Sequence, residues 1–123
     1  MVSKDTKKVL IIEDEESIRS LLKYFLTSEG YTVEEAGNGK EGLDKALNAD
    51  YSLIILDIMM PELSGWDFLK RYRQYRDTPV IVLSARDLDE DFRLGASLNV
   101  ADYFTKPFDP EELVNRVKEL IGA

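Results

Sequence analysis

Three short apolar runs, Val9-Leu10-Ile11-Ile12, Leu53-Ile54-Ile55-Leu56 and Val80-Ile81-Val82-Leu83, limit what this chain can fold into more than any other feature. Their length and β-branched content mark them as strands. Each is continuously apolar rather than alternating, which means burial on both faces, as in a parallel sheet covered on each side by helices. Amphipathic stretches separate the runs, so the chain reads as repeated βα units, five strands and five helices around a parallel sheet, an α/β fold.

The strands are expected at residues 8–13, 32–35, 53–57, 80–84 and 102–104. Ile18, Leu21, Leu22, Phe25 and Leu26 fall at i, i+3, i+4, i+7 and i+8, one apolar stripe on a first helix that closes at Gly30. The last helix opens at Asp109-Pro110-Glu111-Glu112, with Asp as cap, Pro at the first helical position and Glu112 placed for a capping box. Its buried face is Leu113, Val114, Val117, Leu120 and Ile121. Helices two, three and four are expected at residues 40–48, 64–75 and 88–98, the fourth interrupted by Gly95. At 123 residues the chain is long enough for one core and too short for two ordinary domains. Residues 1–7 are polar and expected to fray as a flexible extension, leaving residues 8–123 as the domain.

Composition narrows the chemistry. With no Cys and no His, disulfides, the usual zinc sites and His-based acid/base arrangements are excluded. A net charge of -8 repels a phosphate backbone, so direct nucleic-acid binding by this segment is not expected. The apolar runs are far too short to span a bilayer, and residues 1–8 lack the apolar region of a secretion signal, so a cytoplasmic location is expected.

In open α/β sheets, ligands bind outside the carboxyl ends of the strands, and the polar residues gather there. The first strand ends in Glu13-Asp14, the third in Asp57, the fourth in Ser84, and the fifth runs into Lys106-Pro107. Three carboxylates converging from Glu13, Asp14 and Asp57 require raised pKa values or a cation between them. All the ligands on offer are oxygen, which suits Mg²⁺ better than Zn²⁺. A carboxylate beside Mg²⁺ can attack phosphorus and form an aspartyl phosphate. Lys106 would neutralise charge on the phosphoryl oxygens, and the Ser84 hydroxyl would hydrogen-bond one of them. Taken singly these residues are ordinary: an acidic helix start, a turn Asp, a loop Lys before Pro, a core Tyr103. Their joint occurrence, one set per strand end, is what points to a single cleft.

Together these residues resemble the receiver domains of two-component response regulators, the CheY-like fold. The resemblance covers nearly the whole chain. Its carriers are residues 9–14 with the acidic pair, 53–57 followed by Met59-Met60-Pro61 and Gly65, 80–85 with Ser84, and 103–108 with Lys106-Pro107-Phe108. It implies a flavodoxin-like (βα)5 doubly wound three-layer sandwich with strand order 2-1-3-4-5, an order taken from the family and not from the residues. It implies that Asp57 accepts phosphate from a phosphohistidine of a sensor histidine kinase or phosphotransfer protein, with Mg²⁺ held by Asp14, Asp57 and the Met59 carbonyl. Glu13, standing in place of a common Asp, acts there through a water. Ser84 and Tyr103 become the switch that changes the surface of the fourth helix, fifth strand and fifth helix, and so controls an output domain or partner. A cis bond before Pro107 is implied as well.

Asn99-Val100-Ala101 replace the family's frequent Gly-Ala-Asp, Asn being able to take a left-handed cap in place of Gly. Glu112, Asp102 and Arg116 match an interface through which winged-helix response regulators dimerise, with Phe92 where a basic partner is usual, so a phosphorylation-dependent homodimer is a further implied partner. Met59 and Arg86 flank the site and are expected to tune water access. Two alternatives stay open. One is a Mg²⁺-dependent phosphatase or phosphotransferase, which often needs a general acid two residues beyond the nucleophile, where Met59 stands. The other is an interaction module that has lost phosphorylation. On the leading reading the domain catalyses its own phosphorylation and dephosphorylation and does not turn over an external substrate.

Overall fold

A computed structural model describes residues 7–60, 62–85, 93 and 97–122. Five parallel strands, β1 (Lys8–Ile12), β2 (Thr32–Ala36), β3 (Leu53–Asp57), β4 (Val80–Ser84) and β5 (Asp102–Thr105), form one sheet in the order β2-β1-β3-β4-β5. The helices α1 (Glu16–Ser28), α2 (Gly39–Asn48), α3 (Gly65–Tyr72) and a C-terminal helix (Pro110–Ile121) cover it. The expected fourth helix, with Gly95, lies largely outside the described residues, as do Arg86 and Phe92; Arg93 and Ser97 are helical.

The continuous apolar runs are buried on both faces as expected: β3 and β4 are buried at every position. Alternate residues feed two separate cores. Leu10, Ile12, Ile54, Leu56, Val80 and Val82 pack with Phe68, Leu69 and Tyr72 of α3 and Ala46 of α2. Val9, Ile11, Leu53, Ile55, Ile81 and Leu83 pack with Leu22 and Leu26 of α1 and Leu113, Val114 and Val117 of the C-terminal helix.

Several boundaries and faces differ from the sequence reading. β1 stops at Ile12, although the Glu13 amide still bonds the Ala36 carbonyl at 3.1 Å and continues the pairing by one residue. β2 and β5 each run one residue further than expected. The α1 stripe is narrower, since Leu22 and Leu26 are buried but Leu21 is 42% exposed; it lies at the stripe's edge, beyond the sheet's reach. α1 closes as expected at Gly30, in the left-handed region at φ 96, with the Tyr31 amide returning to the Leu26 carbonyl. α3 is shorter than residues 64–75. Ser64 is its cap, accepting from the Asp67 amide, and past Tyr72 tighter i→i+3 bonds, Gln74 to Arg71 and Tyr75 to Tyr72, mix with the i→i+4 bond of Arg76 to Tyr72. α2 starts at Gly39, capped by Asn38 accepting from the Glu41 amide at 2.8 Å. The Asp109 cap and Pro110 are as expected, the cap bond running to the Glu111 amide. Asn99 does take the left-handed conformation, φ 60, and the Lys106–Pro107 bond is cis.

Candidate functional site

Register alone brings the expected residues together. Ile12 pairs with Leu56, so Glu13 comes level with Asp57; Asp57 pairs with Leu83, so Ser84 lies one step beyond it; Ser84 pairs with Thr105, just before Lys106. Three cross-strand bonds lock this edge: Glu13 amide to Ala36 carbonyl, Ile58 amide to Leu83 carbonyl at 3.0 Å, and Lys106 amide to Ser84 carbonyl at 2.7 Å. Behind Asp57 the Gly65 amide returns to the Ile58 carbonyl at 3.0 Å, seating the start of α3 against the end of β3.

Carboxylate oxygens of Glu13, Asp14 and Asp57 all lie within 4.8 Å of one another. Glu13 and Asp57 are almost wholly buried and Asp14 is exposed, so the cluster opens to solvent on one side. The Lys106 ammonium stands 2.9 Å from Glu13 Oε1, 3.5 Å from Asp57 Oδ2 and 3.6 Å from Glu15 Oε1. Glu13 Oε2 accepts from the Glu15 amide at 3.0 Å, and Asp57 Oδ1 from the Met59 amide at 3.2 Å. Among the described residues, Glu13 Oε1 is the one buried side-chain oxygen without a hydrogen bond. Its partner is the Lys106 ammonium, held there by charge.

These surroundings set the charges. Burial, then the Glu13 charge, push the Asp57 carboxyl up to about 7, against the pull of Lys106 and the Met59 amide. Burial likewise raises Glu13, which the Glu15 amide and Lys106 partly offset. Burial would depress Lys106, but the Glu13 and Asp57 carboxylates outweigh it and raise its ammonium above the ordinary value. One ammonium is thus shared among several carboxylates. An all-oxygen donor set with an unbonded buried oxygen fits a hard divalent ion such as Mg²⁺.

The structure gathers Glu13, Asp14, Asp57, Ser84 and Lys106 at one edge, with Met59 beside Asp57, its amide bonded inward and its side chain half exposed. Ser84 is fully buried. Tyr103, level with Val82 in the neighbouring strand, is half-buried against the α2–α3 core. Lys106, expected to face Asp57, comes closer to Glu13. Glu15 belongs to the same charge cluster and was not singled out by the sequence; within an acidic helix start nothing distinguishes it from its neighbours. Away from the cleft, Arg116 pairs with Asp102 at 2.7 Å within the chain. No helix among the described residues is long and apolar enough to cross a membrane.

The model of the response regulator receiver domain matches residues 9–118. The transcriptional regulatory protein YkoG of Bacillus subtilis, itself uncharacterized, is 48% identical over 111 residues, covering 89% of this chain and 49% of the relative. ResD of the same organism, also a transcriptional regulatory protein, is 41% identical, covering 93% and 48%. The chain therefore spans about half the length of these curated relatives. Among solved structures, the receiver domain of Francisella response regulator 1452 superposes with a TM-score of 0.89 at 38% identity, covering 94% of this chain and 97% of that one. The response regulator protein TrrA of Thermotoga maritima, in complex with Mg(2+)-BeF, gives 0.83 at 36% identity, covering 94% and 99%.

Proposed function

The chain belongs to the receiver domains of two-component response regulators, a family of phosphorylation-dependent switches, and we propose that Asp57 is its phosphoryl acceptor. The observation that carries this reading is the buried Asp57 carboxylate at the open edge of β3, with Lys106 at 3.5 Å and two further acids beside it. Asp14, Asp57 and the Met59 carbonyl would hold Mg²⁺, with Glu13 acting through a water; that the similar TrrA was obtained in complex with Mg(2+)-BeF supports Mg²⁺ as the ion. When bound, the ion supplies positive charge to the phosphoryl oxygens.

In the transfer step an Asp57 oxygen attacks phosphorus, the P–N bond of a kinase phosphohistidine breaks, and the imidazole nitrogen leaves with the electron pair. The Met59 amide, bonded to Oδ1, leaves Oδ2 as the free oxygen facing Lys106. Lys106 then balances charge on the phosphoryl group, and Ser84 and Tyr103 report it by moving. The chain has no His, and Met59 stands where a general acid would be needed, so the site stores a phosphoryl group rather than turning over an ester. We take the protein to be a cytoplasmic receiver that is phosphorylated by a sensor kinase or phosphotransfer protein and controls an output domain or partner protein, as the transcriptional regulators it resembles suggest.

Incubation with Mg²⁺ and acetyl phosphate, followed by intact-protein mass measurement, should show one phosphate per chain that is lost at alkaline pH. Asp57→Asn should show none. An adduct that survives base, or that persists in Asp57→Asn, contradicts the assignment.

A further inference from the structure

Arg19, in the first turns of α1, reaches the acidic loop from behind. Its Nη1 donates to the main-chain carbonyl of Glu13 at 2.8 Å, while its Nε lies 3.3 Å from Glu35 Oε1 on β2. The side chain is 19% exposed, so this is a mostly buried fork and not a surface pair. Glu35 is in turn held by Lys23, one turn further along α1, at 3.2 Å.

The carbonyl Arg19 holds belongs to the peptide joining Glu13 to Asp14. The Glu13 amide is already fixed to Ala36 at 3.1 Å and the Glu13 carboxylate to the Glu15 amide at 3.0 Å. Glu13 is therefore tied to β2 at both ends, directly through Ala36 and through Arg19 to Glu35. A hydrogen bond at the peptide oxygen resists rotation of the plane, and the position of the Asp14 Cα follows from that plane.

We propose that Arg19, braced by Glu35, is a positioning residue for the metal-binding acids: it fixes the Glu13–Asp14 peptide and so aims both carboxylates at one ion. This rests on the reading of the cluster as a Mg²⁺ site. Coulomb attraction alone predicts the opposite sign for its removal, because deleting a cation so near the carboxylates should tighten a divalent ion. Positioning predicts weakening, in the range of roughly 10–100-fold that outer partners of metal ligands show. Lys cannot span the Glu13 carbonyl and Glu35 as the guanidinium fork does, so Arg19→Lys should behave as a positioning loss although the charge is kept.

Titration calorimetry with Mg²⁺ alone, on wild type, Arg19→Met, Arg19→Lys and Glu35→Gln, tests this, with urea unfolding in EDTA to show that each variant is folded. Expected are about tenfold weaker binding in Arg19→Met, a loss of several-fold in Arg19→Lys, and a smaller loss in Glu35→Gln. Unchanged or tighter Mg²⁺ binding in Arg19→Met overturns the inference while leaving the proposed function standing. If Arg19→Met does not fold, Glu35→Gln decides: weaker binding supports the inference and wild-type affinity overturns it. Wild type that takes up no Mg²⁺ refutes the proposed metal site and the inference with it.

Discussion

Burial and the Glu13 charge raise the Asp57 carboxyl from 3.8 to about 7, so in the metal-free protein the fold retains a proton that the unfolded chain gives up near pH 4. The sign follows from linkage. The folded state binds more protons than the unfolded one between those two values, so the stability Asp57 contributes is full at acid pH and is lost as pH rises toward and past about 7. Asn cannot ionise, and Lys106 keeps Glu13 as a partner at 2.9 Å when the Asp57 charge is removed. Asp57→Asn should therefore raise Tm at pH 8 in EDTA by about 3 °C or more, with the gain smaller at pH 5 and shrinking toward zero only below about pH 4, where the unfolded chain is protonated too. Thermal melts followed by circular dichroism check this, and an equal or lower Tm at pH 8 contradicts it. At this scale the site was legible because Asp57, Ser84 and Lys106 are polar residues ending or following apolar strands, where burial leaves few reasons for a polar group. Arg19 and Glu15 were not, since a charged residue on a helix start looks the same whether it faces water or a neighbour. Asn99 could be placed in the left-handed region by its chemistry, whereas Glu62, at φ 70, carries no such mark.

The unit that presents Asp57 is the segment from β3 into α3, and Gly65 is a point of close packing within it. A Cβ there would lie 2.7 Å from the Asp57 carbonyl oxygen and 2.7 Å from the Ile58 Cα, both main-chain atoms that cannot rotate aside. Gly65→Ala must push α3 off the loop or shift the loop itself, at a cost of about 1–3 kcal/mol. It should lower the urea midpoint and also the phosphate incorporated from acetyl phosphate. Gly30→Ala supplies the contrast, because Gly30 has no atom within 4 Å of a built Cβ and strains only its own backbone. That variant should lose stability and keep its phosphorylation yield; a Gly65→Ala protein that phosphorylates like wild type would show that the turn is not what holds the acceptor. Elements were legible to within a few residues, and the misplaced ends have local causes. Ser64 was counted as helix when its hydroxyl caps it, and the turn after Tyr72, where i→i+3 bonds mix with i→i+4 ones, was counted as α-helix, because helical spacing persists in sequence where the helix frays.

One sheet with a core on each face raises the question of whether the two cores unfold together. Ile54 faces the α2–α3 core and Ile55 the core of α1 and the C-terminal helix, both fully buried and adjacent in β3. Since β3 is hydrogen-bonded on both sides, to β1 and β4, neither core can open without disturbing the strand that serves the other. Ile54→Ala and Ile55→Ala should each cost about 2–5 kcal/mol. Trp66 packs against the α2–α3 core, so its fluorescence reports that side while far-ultraviolet circular dichroism reports the whole chain. In Ile55→Ala the two probes should give the same urea midpoint, both lowered, because the damaged core lies on the far side of the sheet from Trp66 yet shares its central strand. A Trp66 midpoint left at the wild-type value while the dichroism midpoint falls would mean that the halves unfold separately. The same coupling lets an event at the strand edge reach both helical layers: Asp57 ends a strand that is buried at every position and bonded to sheet on either side, so a shift in its loop is resisted by both cores and felt by both.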